Sequence, residues 1–337
     1  MRAVAYKTPQ PISAETSLID VELPVPEAKG RDLLVEIRAV SVNPVDAKVR
    51  AGVAPEPGQL RVIGWDAAGI VKAVGPDAKL FKPGDEVFYS GTLNRQGSNA
   101  EFQLVDERIV GPKPKSLDFA AAAALPLTSV TAYETLFDRL KVQEPVAGAA
   151  NAIVIIGGAG GVGSIAIQLA RVLGDLTVIA TASRPETKDW VKELGAHHVI
   201  DHSQPLAPQI AALGLGAPAF IFSTTNTTDH VAAVVEAIAP QGRFALIDDP
   251  KTLDAVPFKF KSISIHWELM FTRSIYDTAD VEAQHRILDR VSRLVDDGKI
   301  RTTLAETVGT INAANLKKAH AMIESGKTKG KLVLAGF

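Results

Sequence analysis

The chain has no cysteine in 337 residues. That absence excludes disulfides, thiolate catalysis and every zinc centre built on sulfur. Neither sign of charge dominates: 36 Lys and Arg against 38 Asp and Glu leave a formal charge of −2. A chain so balanced has no general attraction for polyanions, so nucleic acid is not an expected partner. Long hydrophobic runs are also missing, none approaching the roughly 20 residues that would span a bilayer. A membrane partner is therefore not expected either. The opening "MRAVAYKTP" carries no long apolar core and no small-residue cleavage site, which makes a cytoplasmic location the expectation. The nearest approach to a basic run is "SGKTKGKLVL". Its lysines are spaced through glycine and read as a solvated turn ahead of an apolar strand.

What is present is enough apolar material to fold. Hydrophobic residues make up 46% of the chain, and the length allows about two domains. The first part reads as short strands punctuated by Gly and Pro: "RAVAY", "DLLVEIRAVSV", "AAGIVKAVG", "DEVFYSG" and "NAEFQLVD". Strands at this spacing, without long helices between them, predict a small barrel or sandwich. From about Thr128 the pattern changes to alternating strands and helices, beginning with the apolar run "NAIVIIGG". Such alternation predicts βαβ units and a parallel sheet covered on both faces. The expected organisation is α/β, with a β-rich domain over 1–127, an inserted parallel α/β domain over 128–266, and a segment 267–337 that completes the first.

"IVIIGGAGGVGSIAIQLA" places Gly158, Gly160 and Gly163 in a G-x-G-x-x-G pattern between a buried strand and an apolar helix. The pattern alone is weak, and its setting is what gives it meaning. Glycines let the backbone turn tightly and approach a pyrophosphate, whose charge meets the helix N-terminus. Gly158, Gly160, Gly161, Val162 and Gly163 are therefore the candidate cofactor loop. About 20 residues on, where an NAD-binding domain presents an acid to the ribose, the chain has Ser183 and Arg184 in "TASRPETK". An Arg suits a 2′-phosphate, so NADPH is the expected cofactor. A solvated Arg at a strand end is the plainer reading.

"SVNPVDAKVRAG", residues 41–52, crowds Asn43, Asp46 and Lys48 onto the end of an apolar strand, and "VIGWDAAG" adds Trp65 and Asp66. Taken with the glycine loop, these stretches make the whole chain resemble the medium-chain dehydrogenases/reductases. That superfamily holds zinc alcohol dehydrogenases and zinc-free quinone and enone reductases. The resemblance implies a GroES-like catalytic domain with an inserted Rossmann doubly wound parallel sheet, and by analogy a homodimer. In its zinc enzymes a Cys stands at the place of Asn43, a His at that of Trp65, and another Cys near Leu127. An amide, an indole and an alkyl chain do not replace them around Zn²⁺, so no metal is expected, and the stretch reads instead as a turn.

"NPVDAK" and "IGWDAAG" are most similar to the zinc-free branch, the zinc-type alcohol dehydrogenase-like proteins near the quinone oxidoreductases. That branch implies Asn43 near cofactor or substrate, Lys48 facing a carbonyl, and Thr131 touching the nicotinamide. Hydride delivery to an enone or quinone builds negative charge on an oxygen, which needs a donor and then a proton. Lys48 can serve if burial lowers its pKa, Tyr89 is a second donor, and Asp46 can hold Lys48. Equally, Asp46 can close a turn, Tyr89 can pack, and Lys48 can point to water. His197, His198 and His202 mimic metal spacing but read as strand and turn. The expected function is an NADPH-dependent, zinc-independent reductase of quinones or α,β-unsaturated carbonyls. The alternative is an NADPH-binding redox sensor or structural protein.

Overall fold

A computed structural model describes residues 1–337. The chain divides into two compact units, Met1–Val130 with Phe271–Phe337, and Thr131–Met270. The first change of unit falls inside a continuous helix, Pro126–Tyr133, a few residues after the junction read from the sequence. No helix is long and apolar enough to cross a membrane.

The first unit opens with β1 (Arg2–Tyr6), β2 (Ile19–Glu22) and the long β3 (Asp32–Val42), whose first half alternates outward and inward residues. Helix α1 (Pro44–Gly52) follows at once. Then come β4 (Arg61–Val62), β5 (Asp66–Val74), β6 (Glu86–Ser90), β7 (Phe102–Asp106), β8 (Val110–Pro112), α2 (Phe119–Ala123) and α3 (Pro126–Tyr133).

The second unit holds β9 (Ala150–Ile156), α4 (Gly161–Val172), β10 (Thr177–Thr181), α5 (Pro185–Glu193), β11 (His198–Ile200) and α6 (Leu206–Ala212). It continues through β12 (Pro218–Ser223), α7 (Thr227–Ala237), β13 (Arg243–Leu246) and β14 (Ser264–Trp267). Its six strands form one parallel sheet in the order β11-β10-β9-β12-β13-β14. Val154 on β9 lies opposite Ile179 and Ile221 of its two neighbours, all three in one apolar core with Phe244 and Phe258. The connections run outward in opposite directions from β9, so its C-terminal end is the topological switch point, where open α/β sheets bind ligands.

The chain returns to the first unit as α8 (Thr272–Ile275), α9 (Ala283–Asp296), β15 (Leu304–Gly309), α10 (Ala313–Glu324) and β16 (Lys331–Ala335). The large sheet there has the order β15-β16-β3-β5-β6-β8, with β7 also on β3, and β2-β1-β4 form a separate small sheet. β16 runs antiparallel to β3 with Leu332 opposite Val42, while Asp66 at the start of β5 faces Ser41. Three strand ends far apart in sequence thus meet where α1 begins.

Candidate active site

The stretch 44–52 is a helix rather than a turn, and local chemistry explains it. Asn43 is the extended N-cap, Pro44 takes the first helical position where no N–H is needed, and the Asn43 amide donates to Asp46 Oδ2 at 2.5 Å. The Asp46 carboxylate thus closes the first turn, which is the plainer of its two sequence readings. Asp46 is buried, and its other oxygen, Oδ1, has no hydrogen-bond partner. Burial pushes its pKa up to about 7, with the Asn43 amide and Lys331 pulling it down and Asp66 raising it.

The polar cluster around this cap extends to a residue that the sequence reading left in water. Lys331, expected in a solvated turn, is 3% exposed. Its ammonium donates to Val42 O at 3.0 Å, to Asp66 Oδ2 at 3.0 Å and to Asn43 Oδ1. Asn43 Nδ2 donates to Asp66 Oδ2 at 2.8 Å, and the Leu127 amide donates to Asp66 Oδ1 at 2.7 Å. Asn43, Asp66, Leu127 and Lys331 are therefore one buried network. No local signal marks it in the sequence, since a lysine between Gly330 and "LVLA" equally suits a solvated turn.

Of the other residues read as catalytic, Lys48 lies on α1 and is exposed. The burial expected of Lys48 is not supplied by the chain itself. Tyr89 is fully buried, and its hydroxyl donates to Gln103 Oε1 at 2.9 Å. Burial raises its pKa above the ordinary value. The structure therefore packs Tyr89 inside the sheet and does not bring its hydroxyl to Asn43. Trp65 is also buried, its indole N–H given to Thr92 O at 3.0 Å.

In the second unit the glycine loop lies at the switch point, with Gly160 as the N-cap of α4. Gly157, at φ +79, makes the turn, and its amide donates to Thr181 Oγ1 at 3.0 Å. A Cβ on Gly163 would stand 2.4 Å from Gly157 O, so only glycine lets α4 approach the loop. A Cβ on Gly160 would meet nothing nearer than 3.4 Å. Packing does not demand glycine there, but close approach of a pyrophosphate does. Gly161, Val162 and Gly163 form the first turn of α4, where backbone N–H groups are left for an anion.

Arg184 is the N-cap of α5, following β10 and partly exposed beside Ser183. Its Nε pairs with Glu186 at 3.0 Å. The acid nearest in sequence thus partners the guanidinium. The loop and this strand end fit a nicotinamide dinucleotide. Thr131 is buried in α3, its carbonyl accepting the Thr135 hydroxyl at 2.7 Å. Of the three neighbouring histidines, His197 Nδ1 accepts the Val178 amide at 2.9 Å, and His202 Nδ1 meets Thr181 Oγ1 at 3.1 Å. Both contacts are packing interactions.

Residues 161–293 match the family model described as a zinc-binding dehydrogenase, and residues 29–115 that of the alcohol dehydrogenase GroES-like domain. A zinc-type alcohol dehydrogenase-like protein of Staphylococcus aureus (strain MSSA476) is 39% identical over 339 residues, covering 99% of each chain. The chain belongs to that family, among the medium-chain dehydrogenases/reductases. It is an oxidoreductase with a GroES-like domain and a Rossmann domain. The crystal structure of a proposed zinc-dependent alcohol dehydrogenase of Rhizobium etli CFN 42 matches with a TM-score of 0.99 and 64% identity. That match covers 100% of this chain and 98% of the other. A chloroplastic NADPH-dependent alkenal/one oxidoreductase of Arabidopsis thaliana is 40% identical over 195 residues, 55% of this chain and 49% of the other.

The family's description implies zinc, and the residues of this medium-chain dehydrogenase do not fit it. No group of three or more His, Cys, Asp or Glu is placed to hold a metal ion. Both oxygens of Asp66 and both polar atoms of Asn43 are committed to hydrogen bonds, and an ammonium already lies against them. Zinc would have to displace Lys331 and then accept one carboxylate and an amide, a poor donor set for it.

Proposed function

We propose that this oxidoreductase is an NADPH-dependent, zinc-independent reductase of quinones or α,β-unsaturated carbonyl compounds. The observation that carries the reading is the open glycine cradle at the β9 switch point, with Arg184 at the end of the neighbouring strand β10. The likeness to a plant relative named for NADPH and alkenals or alkenones supports it.

When bound, NADPH supplies the hydride. The α4 N-terminus would orient its pyrophosphate, and Arg184 with Ser183 would take the 2′-phosphate. As a hydride reaches the β-carbon of an enone, negative charge gathers on the carbonyl oxygen. Lys48, exposed on α1, is the cation proposed to face that oxygen, and water or the ammonium then returns a proton to the α-carbon. Asn43 and Asp46 hold the start of the helix that carries Lys48.

The test is NADPH consumption against a panel of small enones and quinones, with Lys48→Met beside the parent. Turnover is expected to fall about tenfold or more while NADPH affinity is unchanged, the pattern of an interaction made in the transition state. An unaltered rate in Lys48→Met would return Lys48 to a solvated role. NADPH binding without turnover on any substrate would favour a redox sensor instead.

We further propose a homodimer formed through the β14 edge. β14 pairs with β13 alone, and Trp267 at its end and Leu269 just beyond it are 53% and 51% exposed. An open strand edge flanked by apolar side chains is a template for a second copy. Sedimentation is expected to show a dimer for the parent and a monomer for Trp267→Glu. A parent that is monomeric at assay concentrations would remove this proposal.

A further inference from the structure

The network at the start of α1 has the form of a cation site whose cation belongs to the chain. Lys331 has three ammonium hydrogens and three acceptors: a backbone carbonyl, a carboxylate and the Asn43 carboxamide oxygen. The Asn43 side chain is polarised in one sense only. Its oxygen takes the ammonium, and its Nδ2 donates to Asp66 at 2.8 Å and to Ser41 O at 3.3 Å. Turning the amide over would set its NH₂ against the ammonium and its oxygen against the carboxylate, two repulsive contacts in a buried place. Lys331 also holds the last carbonyl of β3, at Val42, so it fixes the backbone directly before the N-cap of α1 as well.

We propose that Lys331 is a positioning residue, the resident cation of this site. It orients Asn43 and the first turn of α1, and it takes the place a divalent metal would need. Lys331 does not reach the substrate, being almost wholly buried. It acts through Asn43 and through the helix that presents Lys48. The inference rests on the reductase reading only in its kinetic consequence; the geometry of the amide stands apart from it.

A plainer role would be to neutralise Asp66 so that the chain folds. The two roles part in a charge-balanced variant. Lys331→Met alone leaves a buried carboxylate unpaired and can fail to fold, whereas Lys331→Met with Asp66→Asn removes both charges. If Lys331 positions Asn43, the double variant is expected to fold and bind NADPH within about threefold of the parent. Its kcat is expected to stay about tenfold or more below the parent. The Asn43 side-chain amide resonance, selectively ¹⁵N-labelled and assigned through Asn43→Ser, is expected to differ from its position in Asp66→Asn alone, where Lys331 still meets the Asn43 oxygen.

A double variant with parental turnover, or with the kcat and Asn43 resonance of Asp66→Asn alone, would overturn the proposal, leaving Lys331 a folding counter-ion. Stoichiometric zinc in the purified parent, lost together with activity on chelation, would overturn it as well. Should the parent reduce none of the substrates, the proposed function fails, and the Asn43 resonance alone decides the role of Lys331.

Discussion

Arg184→Glu is expected to weaken NADPH binding by roughly 10- to 100-fold, the worth of one charge-assisted hydrogen bond at about 1.5–3 kcal/mol. NADH, which lacks the 2′-phosphate, is expected to bind nearly as before. The local structure accounts for the size of the effect. Arg184 caps α5, and its Nε is paired with Glu186, so the guanidinium is held near the strand end by a partner that can remain in place. Reversing the charge places a second carboxylate beside Glu186 and repels a phosphate instead of clamping it. The backbone cap should survive, because the Thr187 hydroxyl bonds the Arg184 amide and carbonyl rather than its side chain. Fluorescence titration of parent and variant with each cofactor measures the four affinities. A parent that binds NADH as tightly as NADPH would contradict the assignment of Arg184 to the 2′-phosphate.

The second large effect is a pH dependence of stability centred on Asp46. Its carboxyl is pushed up to about 7 in the folded protein, burial being the main cause, against an ordinary 3.8. A native state that holds a proton more tightly than the unfolded chain loses stability as pH rises between those values. The contribution of Asp46 is thus complete below pH 3.8 and is lost as pH rises through about 7. A shift of that size corresponds to a loss on the order of 4 kcal/mol.

His320 works in the opposite sense. Burial, then Arg50, lowers its pKa to about 3, so its contribution is present above 6.5 and lost as pH falls towards 3. Asp46→Asn keeps an acceptor for the Asn43 amide but cannot ionise. Relative to the parent it is expected to grow more stable by several kcal/mol between pH 4 and pH 8, since His320 is common to both and cancels. Urea unfolding of the two proteins at both pH values measures the difference. A difference that does not change with pH would show that Asp46 is not a strained buried carboxyl.

Several features of the site were legible in local sequence. The glycine loop was, because its requirements are local: a turn after a buried strand and the close approach of a helix fall at fixed spacing. The alternation of strands and helices was legible for the same reason. The helix from Pro44 stands where a turn was expected although its signals are local too, a capping Asn43, a Pro at the first position and an acid at the third. Tyr89 could not be placed, because Val87, Phe88, Tyr89 and Ser90 are all buried and no alternation marks one face of β6.

By itself the sequence determined the fold class, the place of the glycine loop between strand and helix, and the absence of any thiolate, since each depends on residue type and near-neighbour spacing. Only the tertiary structure decided what Asn43 and Asp66 meet. Lys331 meets Asp66 and Asn43 across 265 and 288 residues of chain, and Asn43 meets Asp66 across 23. Sheet register brings the three together: β16 and β5 both lie against β3, with their ends beside its last residues. A lysine in that corner is desolvated from every side and must take the acceptors it finds. The same lysine one strand-end away would be the solvated residue its sequence neighbours suggest.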